Sequence, residues 1–251
     1  MESSEYDNIA RLEAAHWWYA GMREIARAVV RGLDWDPSPL ILDAGCGVGG
    51  GLEWLAAFGA TVGIDLHPRA LHYASQKSDR AVQASIQALP FPAETFHLVT
   101  SFEVLYHLAV TDDLAALQEF ARVLRPGGWL LVRVPAHDWL RGAHDRQVHT
   151  RHRYGRDELQ QKIQAAGLQI KRITGVGLTL LPFAVLKRVT EKETATHSDV
   201  TLPPFLLNQL LKLMLTIEGL WLRGLNLPLG LSLLALARKA EFRSQKSETR
   251  S

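Results

Sequence analysis

The twelve residues Leu40–Gly51, LILDAGCGVGGG, constrain the chain more than any other stretch. A short apolar run ends in Asp43, and five glycines then fall within seven residues. Glycine accepts left-handed backbone without strain, so such a loop lets main-chain N–H groups and the N-terminus of a following helix approach a ligand closely. The run before the loop is continuously apolar, as expected of a strand buried on both faces.

Strand-like and helical stretches alternate from there. Thr61–Ile64 is strand-like, a helix begins near Pro68, which suits a first turn, and strands follow near Arg80–Ala84 and at Leu98–Phe102. Asp112–Val123 reads as a helix with Thr111 as its N-cap. RPGG at 125–128 reads as a turn, and WLLVRVP as a buried strand ending at Pro135. Upstream, residues 9–31 repeat apolar positions every three to four residues, which predicts one helix. Asp36, Pro37 and Pro39 end it. The alternation predicts an α/β fold, a mostly parallel sheet with helices on both faces.

After Pro135 the chain turns polar and histidine-rich (136–156), then gives a helix at Arg156–Ala166 and a strand at Gln169–Thr174. Residues 177–229 are leucine-rich and broken by Pro182, Pro203, Pro204 and Pro228. The expected organisation is one domain over 1–240. Within it, 1–35 is an N-terminal helical segment, 36–176 a ligand-binding core, 177–229 a helical insertion and 230–240 the last strand. Residues 241–251 are read as a disordered tail.

At 251 residues the chain can bury a substantial core. Its formal charge of +2 does not ask for a nucleic-acid partner. The single cysteine, Cys46, excludes an internal disulfide, and the polar, acidic N-terminus shows no apolar signal core. A cytoplasmic enzyme is the expectation.

The glycine loop admits two ligands. Gly45, Gly47 and Gly50 satisfy G-x-G-x-x-G, and Asp65 lies 20 residues beyond Gly45 at a strand end, where an acid can hold ribose hydroxyls. That pattern suits a nicotinamide dinucleotide. Asp43 argues otherwise, because a carboxylate at the loop mouth repels a pyrophosphate and attracts a cation. The alternative parse Asp43-x-Gly45-x-Gly47-x-Gly49 suits a ligand with a sulfonium, an amino-acid tail and no phosphate.

Four motifs in order resemble the class I S-adenosylmethionine-dependent methyltransferases over roughly residues 10–175: ILDAGCGVG (41–49), GIDLHP (63–68), ALPFPAETFHLVTSFEVLYHL (88–108) and LRPGGWLLVRVP (124–135). The resemblance implies a seven-stranded Rossmann-like sheet and S-adenosyl-L-methionine as cofactor. It places Asp43, Gly45, Gly47 and Gly49 along the methionine and ribose side, Asp65 on the ribose hydroxyls and Leu66 on the adenine face. Ser85 and Ile86 stand where family members often carry an aspartate, so adenine recognition falls to a serine hydroxyl or backbone. Glu103 takes the position facing the methyl donor.

Ligands of doubly wound sheets lie beyond the strands' carboxyl ends. Glu103, Tyr106 and His107 after the fourth strand therefore face the transferred methyl, and His107 is the first candidate for a general base. His137, Trp139, His149, Arg153 and Tyr154 are candidate acceptor contacts, with His144 and His152 as further histidines in the same stretch. The basic stretch including Arg141, Arg146, Arg151 and Arg153 suits an acidic acceptor or a solvated face, and no spacing there marks a metal site. Residues 135–168 and the opening EAAHWWYAGMREIA also resemble bacterial methyltransferases of glycan, lipid and secondary-metabolite pathways. The first helix of that class acts as a lid, so Trp17 or Trp18 is expected at the acceptor mouth. For the leucine-rich insertion three roles stand open: a lid or pocket wall, a dimer contact, or peripheral membrane contact.

The leading expectation is methyl transfer to oxygen or nitrogen, with carbon not excluded, of a small-molecule or lipid-like acceptor by a monomer or homodimer. A nicotinamide oxidoreductase leaves Asp43 unexplained. A non-catalytic binding subunit leaves the intact Asp43, Gly45, Gly47 and Asp65 set unexplained. An RNA methyltransferase rests on the basic stretch alone.

Overall fold

The structure is a computed structural model that describes residues 3–34, 37–142, 145, 150–190 and 201–241. Its frame is a sheet of seven strands: β1 (Leu40–Ala44), β2 (Ala60–Asp65), β3 (Ala81–Gln83), β4 (Phe96–Phe102), β5 (Leu124–Pro135), β6 (Leu168–Val176) and β7 (Ser232–Lys239). The order is β3-β2-β1-β4-β5-β7-β6. β7 runs antiparallel to both neighbours and all other pairs are parallel. The strand order reverses between β1 and β4, and a crevice opens there beyond their carboxyl ends.

The helices are α1 (Ser3–Leu12), α2 (Trp17–Val30), α3 (Gly50–Leu55), α4 (Pro68–Ala74), α5 (Asp113–Val123), α6 (Arg156–Ala165), α7 (Leu181–Thr190) and α8 (Phe205–Trp221). Successive strand residues point to opposite faces. Leu42, Val99 and Leu130 therefore pack with Phe120 of α5 and Ile163 of α6. Ile41, Leu98 and Leu131 pack with Ile25 of α2, Trp54 of α3 and Leu215 of α8. Both faces of the sheet are covered, as the continuous apolar strands predict.

Three local expectations are corrected. The single helix over 9–31 is two helices, because His16 caps α2 by accepting from the Trp18 N–H at 3.3 Å. Asn208 of α8 reinforces the break, accepting from the Trp17 N–H at 3.0 Å and donating to the Ala15 carbonyl at 2.9 Å. The cap of α5 is Asp112, whose carboxylate accepts from the Ala115 N–H at 3.0 Å, while Thr111 bonds to Gln87. The RPGG segment lies inside the span of β5, as an excursion between the Phe96–Leu124 and Leu98–Trp129 pairs.

The insertion before β7 forms α7 and α8, and residues 191–200 lie outside the described residues, as does the tail from 242. The polar residues of α8 fasten it down. Glu218 is fully buried and accepts from the N–H groups of Gly177 and Thr179 and from the Thr179 hydroxyl. A Cβ on Gly21 of α2 would stand 2.4 Å from a Leu215 methyl, so glycine lets the two helices close on each other. The outward face of α8 is left apolar: Leu206, Leu210, Leu213, Ile217, Leu220 and Trp221 are all exposed. No helix among the described residues is long and apolar enough to cross a membrane.

Candidate active site

A cavity of about 690 Å³ occupies the crevice at the β1–β4 switch point. Its two ends differ in chemistry. One is floored by the glycine loop, where Gly45, Gly47 and Gly49 all take positive φ. A Cβ on Gly45 would collide with Val104 at 2.3 Å and one on Gly49 would come within 2.9 Å of the Ala74 backbone, whereas one on Gly47 meets nothing within 4 Å. Gly47 is thus the point at which a ligand can lie directly on the backbone. Its N–H donates to Asp65 Oδ2 at 2.9 Å, and the His67 N–H donates to Asp65 Oδ1 at 2.9 Å. Each carboxylate oxygen keeps a lone pair for the cavity.

Asp43 is buried behind the loop. The Thr100 hydroxyl donates to its Oδ1 at 2.8 Å, and a Cβ on Gly51 would stand 2.0 Å from its Oδ2. Burial pushes its pKa up to about 7, against the pull of Thr100. Burial also raises Asp65 and Glu13, in each case as the largest effect. Glu13 was not singled out from sequence. It sits at the α1–α2 break, pairs with Lys77 at 3.2 Å and lies against Gly50. Three acids with their charge held back by burial form an end that a cation would relieve and a pyrophosphate would not. This fits S-adenosylmethionine, and the open Gly47 backbone beside the Asp65 carboxylate fits its ribose. α1 closes this end from above. Asp7 pairs with Arg69 at 2.6 Å, and the Tyr6 ring stacks on His67 at 4.5 Å.

The other end is apolar and aromatic. Trp17, Trp18, Tyr19 and Met22 from the first turns of α2, Ala184 of α7, Leu140 and Leu231 form its walls. Glu103, at φ +60° immediately after β4, is held by Arg133 of β5 at 2.8 Å. The Arg133 guanidinium lies 5.2 Å from the Phe102 ring. Burial raises the phenols of Tyr106 and Tyr19, which keeps both as neutral hydroxyls. His107 stacks on Tyr106 with ring centroids 5.0 Å apart.

The cavity wall gathers Asp43, Gly45, Gly47, Asp65, Leu66, Ser85, Ile86, Glu103, Tyr106, His107, Trp17, Trp18 and Arg153 from the residues expected by sequence. Four others are not on it. Gly49 packs against Ala74 of α4. Tyr154 is buried in the core, donating to Asp113 at 2.6 Å. Trp139 is 58% exposed on the outer surface, and the His137 ring lies 5.6 Å from it. The His137 Nε2 is buried without a protein partner, and burial ahead of the charge on Arg153 lowers its pKa. His149, His144 and Arg146 lie outside the described residues. Cys46 is buried with its thiol pushed upward by burial, the state of a packing residue and not of a nucleophile.

The described arginines of the basic stretch have protein partners. Arg153 grips Asp145 through Nε at 2.9 Å and Nη2 at 3.1 Å, Arg141 pairs with Asp138, and Arg151 with Asp113. Asp113, His152 and Glu158 come together with metal-like spacing, but the Lys162 ammonium already bonds both Asp113 oxygens at 2.7 and 2.8 Å. Arg133, like Glu13, was not singled out from sequence; a lone arginine inside the apolar run WLLVRVP gives no role until Glu103 stands beside it.

Comparison with known proteins gives a consistent picture. Residues 42–132 match a family model described as a methyltransferase domain. The ubiquinone biosynthesis O-methyltransferase of Thiobacillus denitrificans is 32% identical over 213 residues, spanning 70% of this chain and 88% of that protein. A fatty-acid O-methyltransferase of Mycolicibacterium smegmatis is 38% identical over 98 residues, 36% of this chain and 35% of that protein, so the chain spans about a third of it. Among solved structures, an S-adenosylmethionine-dependent methyltransferase of Thermotoga maritima shares the fold with a TM-score of 0.59 at 16% identity, covering 94% of this chain and 95% of that one.

Proposed function

The chain belongs to the class I S-adenosylmethionine-dependent methyltransferases, and from that premise we propose that it methylates oxygen on a small, lipid-like acceptor with an apolar body and an acidic end. It is an enzyme of the S-adenosylmethionine-dependent kind. The observation that carries the finer reading is one continuous cavity whose acid-rich glycine-loop end opens into an aromatic and aliphatic end. The choice of oxygen and of an apolar body draws support from the two relatives, named as O-methyltransferases of ubiquinone biosynthesis and of fatty acids.

When bound, the cofactor supplies a methyl group on a sulfonium, open to in-line displacement. The chain's own residues then bind and align. Asp65 accepts the ribose hydroxyls, Asp43 faces the cationic side, and Leu66, Ser85 and Ile86 border the adenine. Trp17, Trp18 and Met22 exclude water from the acceptor end, where alignment of the two reactants supplies much of the rate. The raised phenol of Tyr106 makes it a donor and not a base; His107, stacked on it, would serve as base only for an acceptor that carries a proton on the reacting oxygen, and an ionised acceptor needs none.

The reading extends to the outer face of α8, which we assign to an anionic bilayer surface. The same helix and the turn after it carry the cations Lys212 and Arg223 off to the side of its exposed apolar row, and the helix's one acid, Glu218, is buried. Ala184 of α7, from the same insertion, lines the cavity. The N-terminal helices and α7 act as lid and wall.

The test uses labelled S-adenosylmethionine with carbon-matched acceptors ending in carboxylate, phenol or amine. Product formed from the oxygen acceptors and not from the amine is the expected result. Turnover of the amine alone overturns the choice of oxygen.

A further inference from the structure

We propose that Arg133 is the recognition residue for a carboxylate on the acceptor, and that an oxygen of this carboxylate is the atom methylated. The inference rests on the methyl-transfer reading above and names its substrate class.

Arg133 is 8% exposed, yet only its Nε is used, donating to Glu103 Oε1 at 2.8 Å. Neither Nη makes a hydrogen bond to any described residue. Other arginines of this half of the molecule spend their forks on protein. Arg153 is bidentate on Asp145 and reaches the Ala136 carbonyl, and Arg156 bonds the carbonyls of Ile173 and Leu227. The Arg133 Nη groups are not among the buried polar atoms that lack a partner, so they open to the cavity, and their planar fork matches a carboxylate. The residue borders the cavity at the carboxyl end of β5, paired in register with Phe102 and beside Glu103. Tyr19 and Tyr106 also line the cavity, and their hydroxyls make no hydrogen bond to any described residue; burial first, then nearby acids including Glu103, keeps both phenols protonated, against the smaller opposing pull of Arg133. The unmet groups contributed by Arg133, Tyr19 and Tyr106 include N–H and O–H donors, while the second oxygen of Glu103 is an acceptor that the cavity leaves open beside them. The donors ask for an oxygen-rich, anionic group on an otherwise apolar ligand.

The charges close. Before transfer, Arg133 and Glu103 balance each other, and the acceptor carboxylate balances the sulfonium. An oxygen lone pair of the carboxylate forms the new bond to the methyl carbon, and the carbon–sulfur electron pair stays on sulfur. The products are a neutral ester and a neutral thioether, and no proton moves. The step cancels opposite charges inside an apolar cavity, where bringing them together is most favourable. A carboxylate is already ionised at neutral pH, so no general base is required. The neutral ester then loses its grip on Arg133, which favours release.

The experiment measures binding to the full chain saturated with S-adenosylhomocysteine, by calorimetry, so that it needs no turnover. The probes are dodecanoate, dodecanol and dodecyl phosphate, with naphthoate and naphthylmethanol as an aromatic pair. The expected result is a carboxylate bound at least ~10-fold tighter than its alcohol in one set. Arg133→Met removes that preference, and Arg133→Lys, which keeps the charge without the fork, retains part of it. If the Met variant fails to fold by thermal unfolding, the Lys variant decides, with a loss of at least ~3-fold in preference expected. No carboxylate preference in either set, or one that survives Arg133→Met, overturns the assignment. Tighter binding of the phosphate replaces the carboxylate by a phosphoryl group and overturns the proposal too. Labelled methyl recovered as methanol after mild alkali shows the ester. An alkali-stable product overturns carboxylate methylation. Failure of the wild-type chain to bind S-adenosylhomocysteine at all sinks the underlying methyl-transfer reading, a separate result from loss of the preference.

Discussion

The two ends of the cavity are assembled differently. At the glycine-loop end most of the polar groups come from β1, β2 and the turns that follow them, with Glu13 added from the α1–α2 break; the Gly47 and His67 N–H groups hold Asp65, and the Thr100 hydroxyl on the adjacent strand holds Asp43. At the acceptor end the walls come from α2, β4, β5, Leu140, Gly142, Asp145, Thr150 and Arg153, α7 and the start of β7. The first end is a local product of strand, loop and helix. The second exists only when distant segments meet. The comparison predicts that cofactor binding tolerates change in the second end, and that acceptor choice depends on contacts that no short motif encodes.

The largest effect should follow from damage to the local end. With Asp65 on the ribose as proposed, Asp65→Ala removes two charge-assisted hydrogen bonds, each worth about 1.5–3 kcal/mol. Affinity for S-adenosylhomocysteine should therefore fall by at least about 100-fold, with Asp65→Asn between the two. Calorimetric titration reads both. An Asp65→Ala protein that binds within about threefold of wild type would place the ribose elsewhere.

This difference also explains what could be read in advance. Asp43, Gly45, Gly47 and Asp65 are legible because loop geometry follows from glycine and strand-end positions a few residues apart. The seven strands follow from apolar runs separated by helical periods. Arg133 is not legible, since one charge in a buried run reads as an interruption until β4 brings Glu103 beside it. Tyr154 misleads for the converse reason: it follows a polar stretch, yet Asp113, 41 residues away, draws its hydroxyl inward. The break at Glu13–His16 escapes because half its capping comes from Asn208, 191 residues away. Long-range polar contacts decide these positions, and periodicity carries no record of them.

The next effect distinguishes the ends by pH. Asp43 has a folded-state pKa of about 7 against an ordinary 3.8, so the folded protein holds a proton that the unfolded chain releases between those values. Stability of the ligand-free protein therefore falls as pH rises from about 4 through 7. Asp65 and Glu13, also raised, act in the same direction. A cationic ligand prefers Asp43 ionised, so cofactor affinity should rise with pH up to about 7, by at most about tenfold per unit. Asp43→Asn should flatten the dependence. Calorimetry in buffers of different ionisation enthalpy should show a proton released on binding. A flat profile in the wild type would remove Asp43 from the cationic side.

On the outer face of the acceptor end, Leu210→Glu and Leu213→Glu should each weaken binding to phosphatidylglycerol-containing vesicles by about tenfold, since each removes a leucine from the lipid contact. Co-sedimentation measures this. A protein that instead sediments as a dimer, and becomes monomeric on Leu213→Glu, would assign the face to a second copy of the chain.

The smallest effect bears most directly on how the ends are joined. Asn208 holds the start of α2 through the Trp17 N–H and the Ala15 carbonyl, at the junction between α1 over the glycine loop and the aromatic wall. Asn208→Ala strands two backbone groups and should cost about 2 kcal/mol. For a chain of this size that lowers Tm by about 4–8 °C. The informative part is where the loss appears. Trp17 and Trp18 belong to the first turn that Asn208 anchors, whereas α1 keeps its own tie through Asp7 and Arg69. The acceptor KM should therefore rise several-fold while S-adenosylhomocysteine affinity moves by less than about twofold. Equal losses in both would mean that α1 and α2 move as one lid across the whole cavity, and the division between its ends would then lie in the sequence and not in the working enzyme.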